Sequence, residues 1–281
     1  MIMTIPSNAA AAPAQLPSTP ISSDDVIGEN APPATISEIP QSKGTVGLSA
    51  NENSGDVVAE KIFGKFPRTR QNLTTSFPSR TVVEIKGDGP DGKELRCSGW
   101  MIGPSEVATA GHCVHSGGPG GVWYQNLSVA PGRNGADAPY KFCAVSKSHT
   151  VLGWYRTKNY DYDYAVLKLN CKIGETVGWL AMKPNSGNLN GVELTHRGYP
   201  SDKQPIGSQW FTADTIRRSL DRQFGYRFDT AEGQSGGPVY RVDNRVFMAF
   251  AVHSSYDTQF DDNTGTRINQ EVFDNYVAWL N

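Results

Sequence analysis

The sequence predicts an all-β protein, a sandwich or barrel of many short strands, on three observations. From about residue 61, runs rich in β-branched and aromatic residues alternate with Gly, Asn, Asp and Pro turns. Hydrophobic residues make up 38% of the 281, enough for a sizeable core, yet no apolar run approaches the roughly 20 residues of a membrane span. Only Asn269 to Leu280 reads as a helix, because Val272, Phe273, Tyr276, Val277 and Leu280 recur at intervals of three or four.

Taken in order, residues 1–60 are rich in Ala, Pro and Ser and contain no aromatic residue. Without apolar surface to offset the entropy of ordering, they are expected to be a disordered tail or a pro-segment. They carry seven acids against Lys43 alone, so this segment is at −6 while the whole chain is at −2. Ala9 to Ala12 with Pro13 resembles a signal cleavage region, but no basic stretch or long apolar stretch precedes it. Secretion is expected although no clear signal peptide is visible.

Strands are expected at Thr81 to Lys86, Leu95 to Ile102, Val122 to Val129, Tyr140 to Val145 and Tyr164 to Leu169. A second group follows at Val192 to Gly198, Gln209 to Ile216, Tyr226 to Asp229, Pro238 to Val242 and Val246 to Val252. The small net charge and the lack of any Lys/Arg cluster argue against nucleic-acid binding. Cys97, Cys113, Cys143 and Cys171 lack the C-x-x-C spacing of a metal site, and sequence alone permits three disulfide pairings. A bridge from Cys113 to Cys97 on the preceding strand is the simplest, with Cys143–Cys171 as the second expected pair.

Three stretches carry chemistry. In Ala231-Glu232-Gly233-Gln234-Ser235-Gly236-Gly237-Pro238-Val239, glycines flank one serine at the entrance to an apolar strand. Such a turn can expose a hydroxyl and leave bare peptide N–H groups beside it. Upstream, Val107-Ala108-Thr109-Ala110-Gly111-His112-Cys113 delivers a histidine next to a cysteine that can pin its backbone. In Asn159 to Leu169, Asp161 and Asp163 precede a nearly continuous apolar run. An acid entering the edge of a core needs a partner, and Asp163, which abuts that run, is the better candidate. The order is His112, Asp163, Ser235: a base, an orienting acid and a nucleophile.

T-A-G-H-C at 109–113, D-Y-A-V-L-K-L at 163–169 and G-Q-S-G-G-P at 233–238 resemble the catalytic signatures of chymotrypsin-like serine proteases. The stretches Arg68-Thr69-Arg70, Gly99 to Pro104, Pro131 to Gly135, Ile173 to Gly178, Gly198 to Lys203, Ala251-Val252-His253 and Gly265 to Ile268 are similar to the bacterial glutamyl endopeptidase branch. The resemblance covers roughly residues 61–281. It implies two perpendicular six-stranded antiparallel β-barrels, about 77–176 and 177–268, with a C-terminal helix at about 269–281. It also implies a serine endopeptidase acting on proteins or peptides, with an oxyanion hole at the Gly233 and Ser235 N–H groups and no cofactor or metal. A monomer without nucleic-acid or membrane partners is expected.

Two specificities compete. Asp229, six residues before the serine, stands where trypsin-like enzymes carry the acid that selects Arg or Lys. By resemblance, His253 and Thr230 instead form a pocket for a glutamate side chain, with Asp as a second substrate, and this reading is preferred. Glu232 is a departure, since its rim charge would repel an acidic side chain. Gln234, a neutral amide, cannot pair with a freed N-terminal amine as the aspartate of trypsin-like zymogens does, so activation must differ. Glu60-Lys61 is the expected cleavage point, where the enzyme itself could cut. His115, His149 and His196 are expected to be packing residues, and Asp261-Asp262-Asn263 a solvated turn. A peptide-binding pseudo-protease is the remaining alternative.

Overall fold

The computed structural model describes residues 16–24, 57–58, 60–90 and 92–280. The Ala9 to Pro13 stretch lies outside them. In chain order the strands are β1 (Pro20–Ser22), β2 (Val57–Val58), β3 (Thr69–Gln71), β4 (Val82–Asp88), β5 (Glu94–Met101) and β6 (Glu106–Thr109). They continue as β7 (Gln125–Pro131), β8 (Cys143–Val151), β9 (Ala165–Leu169), β10 (Ala181–Met182), β11 (Glu193–Gly198) and β12 (Gln209–Thr215). The last are β13 (Arg218–Ser219), β14 (Gln223–Tyr226), β15 (Pro238–Asp243), β16 (Val246–Asp257) and β17 (Asp262–Arg267). Helices α1 (Leu152–Thr157) and α2 (Gly174–Val177) are short, and α3 (Gln270–Leu280) ends the described chain.

The first sheet runs β1-β8-β7-β4-β5-β6-β9, and a further β8–β9 pairing closes its last six strands into an antiparallel barrel. The second runs β13-β14-β17-β16-β15-β11-β12-β3, with β10 and β2 added on β16. The fold class is therefore as expected: mostly β, with a closed six-stranded barrel, a second sheet and a C-terminal helix. Two features of the expected pattern differ. Asp262 and Asn263 do not form a solvated turn but open strand β17, at 5% and 0% exposure. Within residues 16–24, in the segment expected to be disordered or a pro-segment, Pro20–Ser22 forms β1 with Ile21 buried.

The alternation of the strands divides the core in two. Val83, Ile85, Trp100, Val107, Val166 and Leu167 fill the barrel, and Leu194, Phe224, Phe228, Val239 and Phe250 fill the second sheet's cluster. Helix α3 lays Val272, Tyr276 and Trp279 onto the barrel side. Asn269 caps its start by accepting from the Val272 N–H at 3.0 Å. Asn275 Nδ2 donates to Tyr164 Oη at 2.7 Å, which fixes the helix beside the strand that follows Asp163.

The expected disulfides are formed, Cys97–Cys113 with Cα atoms 6.0 Å apart and Cys143–Cys171 at 6.2 Å. The first joins β5 to the turn that carries His112. Closing a loop of 16 residues restricts the unfolded chain by about 3 kcal/mol. Replacing Cys97 and Cys113 together by alanine should lower unfolding stability by about that amount in a denaturant titration. An unchanged midpoint would contradict it.

Candidate active site

Three short connections bring the predicted residues to the junction of the two sheets. His112 sits in a 3-10 turn (Gly111–Cys113) just after β6, and Asp163 follows another (Tyr160–Tyr162) just before β9. Because β6 and β9 pair in register, Thr109 lies opposite Ala165 and the two turns emerge side by side. Ser235 stands in the turn before β15. Gly236 has φ +81°, and a Cβ there would meet Thr109 Oγ1 and the Ser98 carbonyl, so only glycine fits between this turn and the barrel. The turn is tied down by Ser98 N–H donating to the Ser235 carbonyl at 2.8 Å and by Ser98 Oγ donating to the Gly233 carbonyl at 2.8 Å.

Asp163 is wholly buried. Its Oδ2 is 2.7 Å from His112 Nδ1 and accepts from Ser254 Oγ at 2.5 Å, while Oδ1 accepts from the His112 N–H at 2.8 Å. Burial pulls the His112 pKa down, but the charge and hydrogen bond of Asp163, with Glu60 adding to them, carry it above the ordinary value. Asp161 stays apart from the imidazole. Its N–H bonds Asn159 Oδ1, and burial raises its carboxyl against the pull of Arg222 and Arg218. Neither the Gly233 nor the Ser235 N–H donates to a partner among the described residues, so both are free to face a ligand oxygen.

The Ser235 hydroxyl donates to Glu60 Oε1. That carboxylate is only 4% exposed and lies 3.6 Å from His253 Nε2. Burial raises the Glu60 pKa, and the Ser235 hydrogen bond and His112 oppose the rise. Glu232, exposed at the rim, adds to it by repulsion. His253 is fully buried, and burial, followed by His196 and His112, pushes its pKa well below the usual imidazole value. It is therefore neutral, with Nδ1 2.8 Å from Tyr226 Oη. Pairing with the Ser235 turn holds its backbone: Gly236 N–H donates to the His253 carbonyl at 2.7 Å and His253 N–H to the Gly237 carbonyl at 2.9 Å.

Thr230 is also fully buried, and its Oγ1 accepts from Asn263 Nδ2 at 2.9 Å. The structure does not leave Asp229 open at the pocket base, because its Oδ1 accepts from the N–H groups of Phe63 at 2.6 Å and Gly64 at 2.8 Å. Gln234 Oε1 accepts from Arg68 Nη1 and the Ala231 N–H, both at 3.2 Å. Its partner is thus a side-chain cation, itself held by Asp202 at 2.6 Å. Of the other histidines, His115 packs on Tyr155 and Trp123, its pKa pulled down to about 4 by burial, and His149 stacks on Trp279. His196 lies behind His253 with ring centroids 4.4 Å apart. Cys97, His112 and Cys113 have the proximity of a metal site, but the two sulfurs are bonded to each other and offer no thiolate.

Sequence reasoning missed four participants. Ser254 reaches Asp163 because β16 bulges between His253 and Ser255, which turns successive side chains toward the pocket and the acid. Asn263, Tyr226 and Glu60 act only through contacts distant in sequence. A signal existed for Glu60 alone, as the residue before the expected cleavage point.

The description "Trypsin-like peptidase domain" matches residues 97–247. The "Extracellular metalloprotease" of Bacillus subtilis (strain 168) is 37% identical over 223 residues, covering 78% of this chain and 70% of the relative. The "Glutamyl endopeptidase" of Bacillus licheniformis is 37% identical over 234 residues, with 79% and 70% covered. Among solved structures, "Structure of Glu endopeptidase in complex with MPD" superposes with a TM-score of 0.68 at 26% identity, covering 80% of this chain and 98% of that one. The protease Anisep from Arthrobacter nicotinovorans shares the fold, with a TM-score of 0.63, 20% identity and coverage of 75% and 97%. These matches, most of all the one to the glutamyl endopeptidase, identify the chain as a serine endopeptidase of the trypsin-like peptidase family, in its bacterial glutamyl endopeptidase branch.

Proposed function

We propose that the protein is a secreted endopeptidase that cleaves after glutamate through an acyl-enzyme on Ser235. One observation carries the specificity: the chain's own Glu60 places its carboxylate, nearly sealed from water, between Ser235 Oγ and His253 Nε2. A substrate glutamate in the same pocket meets a neutral imidazole. In the tautomer where Tyr226 Oη donates to Nδ1, 2.8 Å away, the His253 proton is on Nε2 and available to a substrate carboxylate. Thr230 lines the same region through Asn263. Cleavage after Asp needs the shorter side chain to reach the same donor. Cleavage after Arg or Lys is less well supported, because Asp229 is already engaged with Phe63 and Gly64.

In the reaction, His112 takes the Ser235 proton as Oγ attacks the scissile carbonyl, while Asp163 holds the ring and favours the imidazolium. The Gly233 and Ser235 N–H groups receive the oxyanion, where loss of one donor costs on the order of 10² to 10³ in rate. The imidazolium then protonates the leaving amine, and water, activated by the same base, hydrolyses the ester.

Residues 1–60 act as a pro-segment and residues 61–281 as the protease domain. While the chain is uncut, Glu60 occupies the pocket and accepts the Ser235 hydroxyl hydrogen bond that His112 should receive. From Lys61 onward the backbone is built into the second sheet: Lys61 N–H donates to Asn263 Oδ1 at 2.8 Å and its carbonyl accepts from Asn263 Nδ2 at 2.7 Å. Cutting between Glu60 and Lys61 thus opens the pocket without disturbing that strap.

Digestion of a proteome-derived peptide mixture should give new C-termini at Glu. His253→Ala should abolish that preference while Ser235 still reacts with a serine-directed phosphonate, and unchanged cleavage sites in this variant would contradict the pocket assignment. N-terminal sequencing of active protein should read Lys61 first, and Glu60→Gln should remain uncut. Active protein with residues 1–60 still attached would overturn the processing step.

A further inference from the structure

We infer that the segment Pro17 to Asp24, with β1 at its centre, keeps the pro-segment bound to the protease domain after the chain is cut, so that activation ends only when this segment departs. The inference rests on the processing reading above and concerns a different surface, the edge of β8 opposite β9.

The ladder of this segment runs along residues of the protease domain. Pro20, Ile21 and Ser22 pair antiparallel with Val151, Thr150 and His149. His149 also pairs with Val166 of β9, so β1 occupies the other edge of β8 at that point. The ladder continues at both ends. The Leu152 and Gly153 N–H groups donate to the Thr19 and Pro17 carbonyls at 2.9 and 2.5 Å, and Ser23 N–H donates to the Ser148 carbonyl at 2.9 Å. Ser148 N–H returns a bond to Ser23 Oγ at 3.2 Å. Asn275 Nδ2, on α3, donates to the Ser18 carbonyl at 3.0 Å, and Lys147 Nζ lies 2.9 Å from Asp24 Oδ2. Three elements of the domain, β8, α1 and α3, thus form one groove for a single extended segment.

The mode is strand addition, in which main-chain bonds supply affinity and a pocket for alternate side chains supplies selectivity. Ile21 is buried at 5% exposure, whereas Leu16, at the start of the segment, is 69% exposed. None of these bonds involves Glu60, His253 or Ser235, so cleavage at Glu60–Lys61 removes none of them. Cleavage removes only the covalent tether and its effective concentration. The groove also borders the active site: α1 carries Trp154, whose Nε1 donates to the His115 carbonyl at 2.8 Å and whose ring lies 6.1 Å from that of His112.

The test uses the full chain with Ser235→Ala, which cannot cut itself, and a recognition sequence for a site-specific protease in place of residues 41–44. Cutting there leaves Glu60 attached to the domain, so retention of the N-terminal fragment no longer depends on the Glu60 contacts. The outcome is then independent of whether Glu60–Lys61 is the natural scissile bond. On gel filtration at micromolar concentration the fragment should co-elute with the domain as a 1:1 complex. Ile21→Asp should weaken retention by about tenfold or more, the loss expected for one buried aliphatic side chain, and Leu16→Asp should not. Separation of the unsubstituted fragment as complete as that of the Ile21→Asp fragment would overturn the inference. Exchange of the strand between copies to give a dimer would overturn it as well.

Discussion

Asp163 is a carboxylate without access to water, and the arrangement of the molecule around it follows from that. A buried charge costs several kcal/mol unless its lone pairs are filled. Here the donors come from both halves: the His112 backbone and ring from the barrel side, Ser254 from β16 of the second sheet. Thr266 of β17 adds a bond to the Asp163 carbonyl at 3.0 Å. The two sheets therefore meet where the acid must be satisfied, and the imidazole is aimed as a consequence. The nucleophile turn is referenced to the same junction through Ser98, which bonds both Gly233 and Ser235.

The pocket beside this junction solves a second electrostatic problem in a different way. In the proposed reading, a cation facing a substrate carboxylate would itself need desolvating, and His253 offers a neutral imidazole in place of one. The burial that strips His253 of its charge also makes its N–H a strong donor in a medium of low dielectric. The Glu60 carboxylate lies 3.6 Å from His253 Nε2, and its raised pKa comes chiefly from burial. Glu232 raises it further by repulsion.

What was legible in the sequence was local. The turn that presents Ser235, the Gly111-His112-Cys113 break and the acid at the head of β9 each have a chemistry readable within a few residues. The strand pattern followed from alternation and turn residues. Ser254 was not legible because its role depends on a bulge in β16, which shifts register without a composition signal. Asn263 was misread with its acidic neighbours as solvated, since an Asp-Asp-Asn run looks like a turn until Lys61, Phe228 and Thr230 surround the amide. β1 was missed because a three-residue strand draws its stability from the edge of β8, not from its own composition.

The central claim is that one pocket, walled by His253 beside Ser235, takes a glutamate side chain and is filled by Glu60 until the chain is cut. The most direct measurement is the rate at which a serine-directed phosphonate bearing a glutamate-like side chain labels Ser235. Labelling should be slow in the uncut chain, fast once residues 1–60 have been cut off and removed, and fast in the uncut Glu60→Ala chain. Equal rates in the uncut chain with and without Glu60 would contradict it.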